Sequence, residues 1–209
     1  MKLYLCSYRL PTPDELFALI GKSPIGCKLA IIPNAKDFQL PDERAMKLDE
    51  LIYDIAKFGF VTEVVDLRDY DDPEPLETAL TGFDAIWIAG GNTYVIRSEM
   101  RRSGFDKIIY KLLNAGMVYC GESAGAIVAG LSLEGSEVMD DPGFASEVIQ
   151  EGLGLIPNIL VPHADNPDYV EYVNHMKKHY KDDGRVVYID DNKALVLTVE
   201  ISADNMHTD

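Results

Sequence analysis

Positive charge is scarce in this chain. Nineteen lysines and arginines stand against 35 aspartates and glutamates, a formal net charge of −16 over 209 residues. Nucleic-acid binding needs clustered Lys and Arg for the phosphates, so this balance argues against it, and against anionic membrane surfaces for the same reason. Cysteine is scarce too. Cys6, Cys27 and Cys120 are odd in number and widely spaced, and no Cys-x-x-Cys pair is present. That excludes a disulfide framework and the usual zinc and thiol-redox motifs, and reads as reduced, buried thiols in a cytoplasmic protein. No apolar run approaches the length of a membrane span. Met1 to Ser7 is too short and too soon interrupted to read as a signal peptide. There is no repeat, linker or low-complexity segment. The remaining composition is ordinary, 47% hydrophobic and 26% charged. It suits one α/β domain over residues 1–209, cytoplasmic, as a monomer or homodimer.

Short apolar runs alternate with helical stripes. Leu3 to Ser7 reads as a first buried strand, and Thr12-Pro13-Asp14-Glu15 has the form of a capping box opening a helix that stops near Gly21. Cys27 to Ile32 is a second continuous run, the mark of a strand buried on both faces. Pro41 opens a long helix whose Leu48, Leu51, Ile52 and Ile55 form one stripe, ended by Gly59. Val61 to Leu67 reads as a third strand and Ala85 to Ala89 as a fourth. Tyr94 to Ala115 is helical, punctuated by Gly104, and a fifth strand follows Gly116. Strand-helix alternation of this kind gives a doubly wound, mostly parallel sheet with helices on both faces. Beyond Gly130 the pattern loosens. Leu131 to Pro157 is polar and glycine-rich, Ile159 to Val161 is a short strand, and Asp168 to Tyr180 is helical. Val186 to Ile189 and Ala194 to Glu200 read as a closing hairpin around Asp190-Asp191-Asn192-Lys193.

In open parallel sheets, ligands gather at the C-terminal ends of the strands. Four suggestive stretches fall there. The fifth strand runs into Gly121-Glu122-Ser123-Ala124-Gly125, the Gly-x-Ser-x-Gly of a nucleophile elbow. A strand that reverses into a helix within two residues crowds its own backbone, so the flanking positions must be small and the serine is lifted clear of the sheet. Gly90-Gly91-Asn92 follows the fourth strand, His163 follows the short later strand, and Asp190-Asp191 follows another. Backbone N–H groups of Gly91 and Ala124 are the candidates for an oxyanion hole, and Asn92 and Glu122 for substrate contacts.

A serine nucleophile needs a base. Of the four histidines, His163 sits at a strand end. His175 and His179 lie on a helix with Lys177 and Lys178 between them, and read as a solvated face because no third metal ligand accompanies them. His207 lies in the polar tail. His163 is therefore the candidate base. A carboxylate must hold its other nitrogen. Asp140 and Asp141 lie between serine and histidine and Asp191 beyond, and the residues themselves leave these alternatives open.

The combination of Ala89-Gly90-Gly91-Asn92-Thr93-Tyr94, Gly121-Glu122-Ser123-Ala124-Gly125-Ala126, and Gly152-Leu153-Gly154-Leu155-Ile156-Pro157 followed by Pro162-His163 resembles the peptidase E family of aspartyl dipeptidases, relatives of the larger cyanophycinases. The resemblance spans nearly the whole chain. It implies a flavodoxin-like, class I glutamine-amidotransferase-like fold, no metal and no organic cofactor, with Ser123 as nucleophile and His163 as general base. It implies Asp140 as the third member, with Asp191 and Asp141 as alternatives. One departure is evident. The family carries an arginine after the histidine to read the substrate's aspartate, and Asn166 to Met176 contains none. The expectation is a serine-type exopeptidase, a dipeptidase of small peptides for which Asp-X specificity is open. The competing readings are an amidase on the same triad and a catalytically idle binding module.

Overall fold

Alternation along each strand decides which side chain enters which core layer. In β1 (Lys2–Cys6), Leu3 and Leu5 face one layer and Tyr4 and Cys6 the other, as the two-residue period of a strand requires. The same split runs through β2 (Lys28–Ile32), β4 (Ala85–Ile88) and β5 (Val118–Glu122), whose middle residues are buried on both faces. Such strands must be covered twice. Helices α1 (Pro13–Ile20) and α2 (Pro41–Ala56) supply Leu16, Leu51 and Ile55 to one layer. Helices α3 (Pro73–Leu80), α4 (Thr93–Arg102) and α5 (Phe105–Asn114) supply Leu76, Ile96 and Ile109 to the other. The structure is a computed structural model and describes residues 1–199.

With β3 (Val61–Val64) and β8 (Ala194–Thr198), these strands form a six-stranded sheet in the order β3-β2-β4-β5-β1-β8. All pairings are parallel except β8 against β1. This is the expected mostly parallel α/β sheet, with two local corrections. Val186 to Ile189 and Ala194 to Glu200 do not form a hairpin. β7 (Val186–Tyr188) pairs in parallel with β6 (Ile159–Val161) as a separate two-stranded sheet, while β8 crosses to the open edge of β1, Lys2 facing Thr198. Two apolar runs around a turn look alike whether they pair with each other or with other strands. Here the unpaired edges of β1 and β6 each take one. Thr12, expected to cap α1 through its hydroxyl, makes no side-chain cap bond. Its Oγ1 is 3.0 Å from the Tyr4 hydroxyl instead. Strand three is also shorter than expected, because Asp66 starts a 3₁₀ turn at Leu67–Asp69. Glu200 and His207 lie outside the described residues.

A polar network fixes the outer strand ends. Asn34, fully buried, donates through Nδ2 to Asp37 and Asp66, each at 2.7 Å, and accepts from the Leu67 N–H. Arg44 of α2 bridges the same two carboxylates at 2.6 and 2.7 Å. The 3₁₀ turn Asn34–Lys36 after β2 is thereby locked. Burial alone would raise the Asp66 carboxyl, but hydrogen bonds from Arg68 and Asn34 outweigh it and hold the group well below the usual carboxylate range. A depressed carboxyl contributes stability that is present above its unfolded value, near pH ~3.9, and lost as the pH falls through the folded value. Thermal melting followed from pH 6 to pH 2 is expected to fall less steeply for Asp66→Asn than for the wild type, although the variant starts from a lower melting temperature. An unchanged acid limb removes Asp66 as its source.

Candidate active site

β5 ends at Glu122, and Ser123 reverses the chain into the short helix α6 (Ala124–Ile127) with φ 50° and ψ −109°. Its N–H donates to the Cys6 carbonyl of β1 at 2.9 Å, so the turn is anchored across the strand pair. The elbow leaves no room at Gly121, where an added Cβ would stand 2.3 Å from the Gly125 carbonyl oxygen. Four non-glycine residues among those described have positive φ, and three of them, Arg9, Ser123 and His163, line one cleft. Strained backbone gathered in one place is a mark of a functional site.

The cleft has a volume of about 170 Å³ and lies at the C-terminal ends of β1, β2, β4 and β5. Ser123 Oγ is 2.9 Å from His163 Nε2. His163 Nδ1 is 2.6 Å from Asp191 Oδ1. The histidine is almost completely buried and has a second set of supports. Its N–H donates to Ser7 Oγ at 3.0 Å, Ser7 donates to the Ile189 carbonyl at 2.7 Å, and the Tyr169 ring stacks on the imidazole at 4.1 Å and 15°. Asp191 is oriented in turn. Asn166 Nδ2 donates to its Oδ2 at 2.7 Å, and its own N–H donates to Asp165 at 2.8 Å. The two-stranded β6–β7 sheet explains the meeting. His163 leaves the end of β6 and Asp191 the end of its parallel neighbour β7, so both arrive on the same side.

The preference for Asp140 does not survive this geometry. Asp140 Oδ2 accepts from the Thr93 N–H at 2.9 Å and the Thr93 hydroxyl at 2.5 Å, and no bond joins it to His163. Burial pushes its carboxyl up, against the pull of the Thr93 bonds. Asp141 is exposed and caps the 3₁₀ turn Pro142–Phe144. The family resemblance had favoured Asp140, in the segment between serine and histidine, but that segment packs on α4.

Asn92 is also corrected. Its N–H donates to the Ala35 carbonyl at 2.7 Å, its Oδ1 accepts from Tyr94 and Val95 as the cap of α4, and its Nδ2 donates to the Asp141 carbonyl. Both ends of its side chain are engaged in the scaffold, and the residue is buried and does not line the cleft. Gly91 and Ala124 keep N–H groups without partners among the described residues, the latter as the first residue of α6. Gly91 has φ 151°, and a Cβ there would stand 2.2 Å from the Ala35 carbonyl oxygen. Glu122 is buried beside the serine. Its Oε1 accepts from the Arg9 N–H at 3.0 Å and its Oε2 from the Trp87 indole at 3.3 Å.

Sequence reasoning missed the residues that reach the cleft from the first two strand ends. Tyr8 and Arg9 follow β1, Lys36 lies on the turn after β2, and Lys47 projects from α2. Strand-end position was the available signal for Ser7 and Lys36. Asn166 and Tyr169 carried none beyond the Asn-Pro turn. His175 and His179 stack on each other with their nearest carboxylates, Glu137 and Glu134, at 3.9 Å. Among the described residues no group of three or more His, Cys, Asp or Glu side chains is placed to hold a metal ion, and no helix is long and apolar enough to cross a membrane.

The model of peptidase family S51 matches residues 11–201. The chain belongs to peptidase family S51. Among its S51 relatives, the uncharacterized peptidase Lmo0363 of Listeria monocytogenes serovar 1/2a is 27% identical over 144 residues, covering 68% of this chain and 70% of that one. Peptidase E of Streptomyces coelicolor is 28% identical over 158 residues, covering 73% of this chain and 58% of the relative. A 1.5 Å crystal structure from Listeria monocytogenes EGD-e, of a protein described as a candidate peptidase E, superposes with a TM-score of 0.80 at 24% identity, over 96% of this chain and 98% of the other. At that identity the likeness is one of fold.

The S51 elbow makes its own prediction. Gly121→Ala forces a side chain against backbone that cannot swing away, so a loss near the upper end of overpacking costs, about 3 kcal/mol, is expected. Differential scanning calorimetry should show a clear drop in Tm, and a melting curve matching the wild type would mean that the turn relaxes freely.

Proposed function

We propose that the protein is a serine-type exopeptidase that hydrolyses small peptides through Ser123, His163 and Asp191. The observation that carries this reading is the unbroken line from Ser123 Oγ to His163 Nε2 at 2.9 Å and from His163 Nδ1 to Asp191 Oδ1 at 2.6 Å. Membership of a peptidase family supports the reaction class. The order Ser, His, Asp puts the acid on the nitrogen remote from the nucleophile, where it fixes the tautomer and stabilises the imidazolium.

In the first half-reaction His163 Nε2 takes the proton from Ser123 Oγ as that oxygen bonds to the scissile carbonyl carbon. The carbonyl oxygen becomes an oxyanion, held by the N–H groups of Gly91 and Ala124. His163 then gives its proton to the leaving nitrogen, the C–N bond breaks, and an ester on Ser123 remains. Water loses a proton to His163 and attacks the ester. The serine oxygen departs with that proton, and the acid product leaves. A cleft of about 170 Å³ suits one or two residues rather than a folded chain. Glu122, buried at its wall, has lone pairs beyond the two N–H bonds it accepts and would hold the substrate's α-ammonium, the contact that makes the enzyme an exopeptidase.

A dipeptide panel read by mass spectrometry, with fluorophosphonate labelling in parallel, tests this. Wild type should cleave and label, and Ser123→Ala should lose at least about a thousandfold in turnover while melting normally. Retained cleavage by purified Ser123→Ala would sink the mechanism. Hydrolysis of amides but not peptides would make the enzyme an amidase, and no reaction or label at all would leave a binding module. The acid is tested separately. Asp191→Asn is expected to slow labelling of Ser123 by about 10³–10⁴, and Asp140→Asn by less than tenfold. The reverse order would return the third position to Asp140.

A further inference from the structure

A second cavity lies apart from the cleft and shares no residue with it. Its volume is about 520 Å³, and Arg97, Arg101, Asp106, Lys107, Gly152 and Leu153 line it. Arg97 and Arg101 stand one turn apart on α4, so their side chains leave the helix on one face. Gly104, at φ 76°, turns the chain from α4 into α5 and brings Asp106 and Lys107 to the same cavity. The third wall is backbone at Gly152, where an added Cβ would stand 2.1 Å from the Gly130 carbonyl oxygen. None of these residues takes part in the hydrolysis described above.

Charge is out of balance there. Three cations meet one carboxylate, and both arginines lean on the same oxygen of it. Arg97 Nη1 is 3.3 Å and Arg101 Nε 2.8 Å from Asp106 Oδ2, while Oδ1 is buried and makes no hydrogen bond. Lys107 has no carboxylate within ion-pair distance among the described residues. Glu151 offers its carbonyl, which accepts from Arg97 Nε at 2.8 Å, but its side chain is exposed and does not line the cavity. Arg97 is the informative residue. Only 4% of it is exposed, yet its Nη2 donates to nothing among the described residues. Burial pushes this guanidinium below its usual range, attraction to Asp106 offsets part of that, and repulsion from Arg101 adds to it. A buried cation neutralised so incompletely is unfavourable in the protein alone. The first turn of α5 adds the positive end of a helix dipole beside Asp106 and Lys107.

We propose that Arg97, Arg101 and Lys107, at the N-terminus of α5, bind a phosphoryl group, either free phosphate or the phosphate ester of a small metabolite. The site is independent of the peptidase reading. Its ligand class follows from charge and shape. Three cations against Asp106 leave an excess of two, which a phosphoryl dianion cancels and a single carboxylate does not. Guanidinium forks grip two oxygens of such an anion at once, and Lys107 supplies a point charge. The cavity leaves room for an organic body beyond the phosphoryl group. An occupied site ties α4 and α5 to the backbone at Gly152 and Leu153. Their N–H groups donate to the Leu131 and Val128 carbonyls, in the segment that follows α6. Binding there stabilises the folded domain.

Isothermal titration calorimetry of the full chain with inorganic phosphate and with glycerol 3-phosphate, at constant ionic strength, tests this. Saturable binding at one site per chain is expected, with a matching rise in Tm. Binding of the ester at least fivefold tighter than phosphate identifies a phosphorylated metabolite as the ligand, and a smaller difference identifies free phosphate. Arg101→Gln should weaken binding at least tenfold, and Arg101→Gln/Lys107→Gln should abolish it. Both side chains are exposed, so these variants are expected to fold as the wild type does. Arg97→Lys keeps the charge but loses the fork, and should weaken binding at least fivefold. Lys47→Gln in the cleft and Lys178→Gln on the outer face of the Val170–His179 helix should leave it unchanged. No saturable binding of either probe, binding that survives the double variant, or loss of binding in Lys47→Gln overturns the site. Succinate bound as tightly as phosphate also overturns it, because the cavity would then not select a phosphoryl group.

Discussion

Ser123 is held in a backbone conformation that costs an L-residue of order 1–3 kcal/mol, and the register of β5 keeps it there. The strand is clamped on both sides, Gly121 opposite Ile88 of β4 and Leu5 of β1, and Glu122 opposite Cys6. The next N–H, that of Ser123, continues onto the Cys6 carbonyl. A strand paired on one edge could twist to relax the turn. One paired on both edges cannot, and its glycine must accept the Gly125 carbonyl where a side chain would otherwise stand. The strain at Ser123 is thus distributed over two ladders whose residues are buried on both faces.

The histidine and its acid are supported by a different device. They hang from a two-stranded sheet that is separate from the main one, joined to it by Leu160 and Ile189 in the shared core and by a polar bridge at the strand ends. Ser7, at the end of β1, accepts from the His163 N–H and donates to the Ile189 carbonyl just beyond β7. One hydroxyl thereby ties the end of β1 to both segments that carry His163 and Asp191. Tyr169 covers the imidazole face and Asn166 fixes the free oxygen of Asp191, so the base is restrained in position, tilt and tautomer by three independent contacts. A residue on a minor sheet is thereby held as closely as one on a central element.

Much of this was legible from residue types alone, and the limits have physical causes. The parallel sheet, the elbow at Ser123 and the strand-end placement of His163 follow from apolar runs and glycine spacing, which are local properties of the chain. The destination of β8 is not local. Ala194 to Thr198 would satisfy its backbone equally well against β7 or β1, and only the three-dimensional fact of an open β1 edge decides. The third carboxylate failed for a related reason. Asp140 and Asp191 have the same chemistry and similar turn contexts, and choosing between them requires knowing that β6 and β7 are parallel neighbours. Asn92 looked like a ligand contact because it sits at a strand end, but the same position is the start of α4, and the cap took its side chain.

The cationic lining of the cleft depends on yet another level, the fold-wide distribution of charge. At −16 overall the field around the protein repels anions, and long-range steering of an acidic peptide would be unfavourable. Such a field is screened within about 8 Å at physiological ionic strength, whereas two ammonium groups inside a narrow cleft act over bond lengths and in a less polar medium. The acidic exterior and the cations in the cleft therefore act over different ranges. The acidic surface and the basic cleft are therefore compatible.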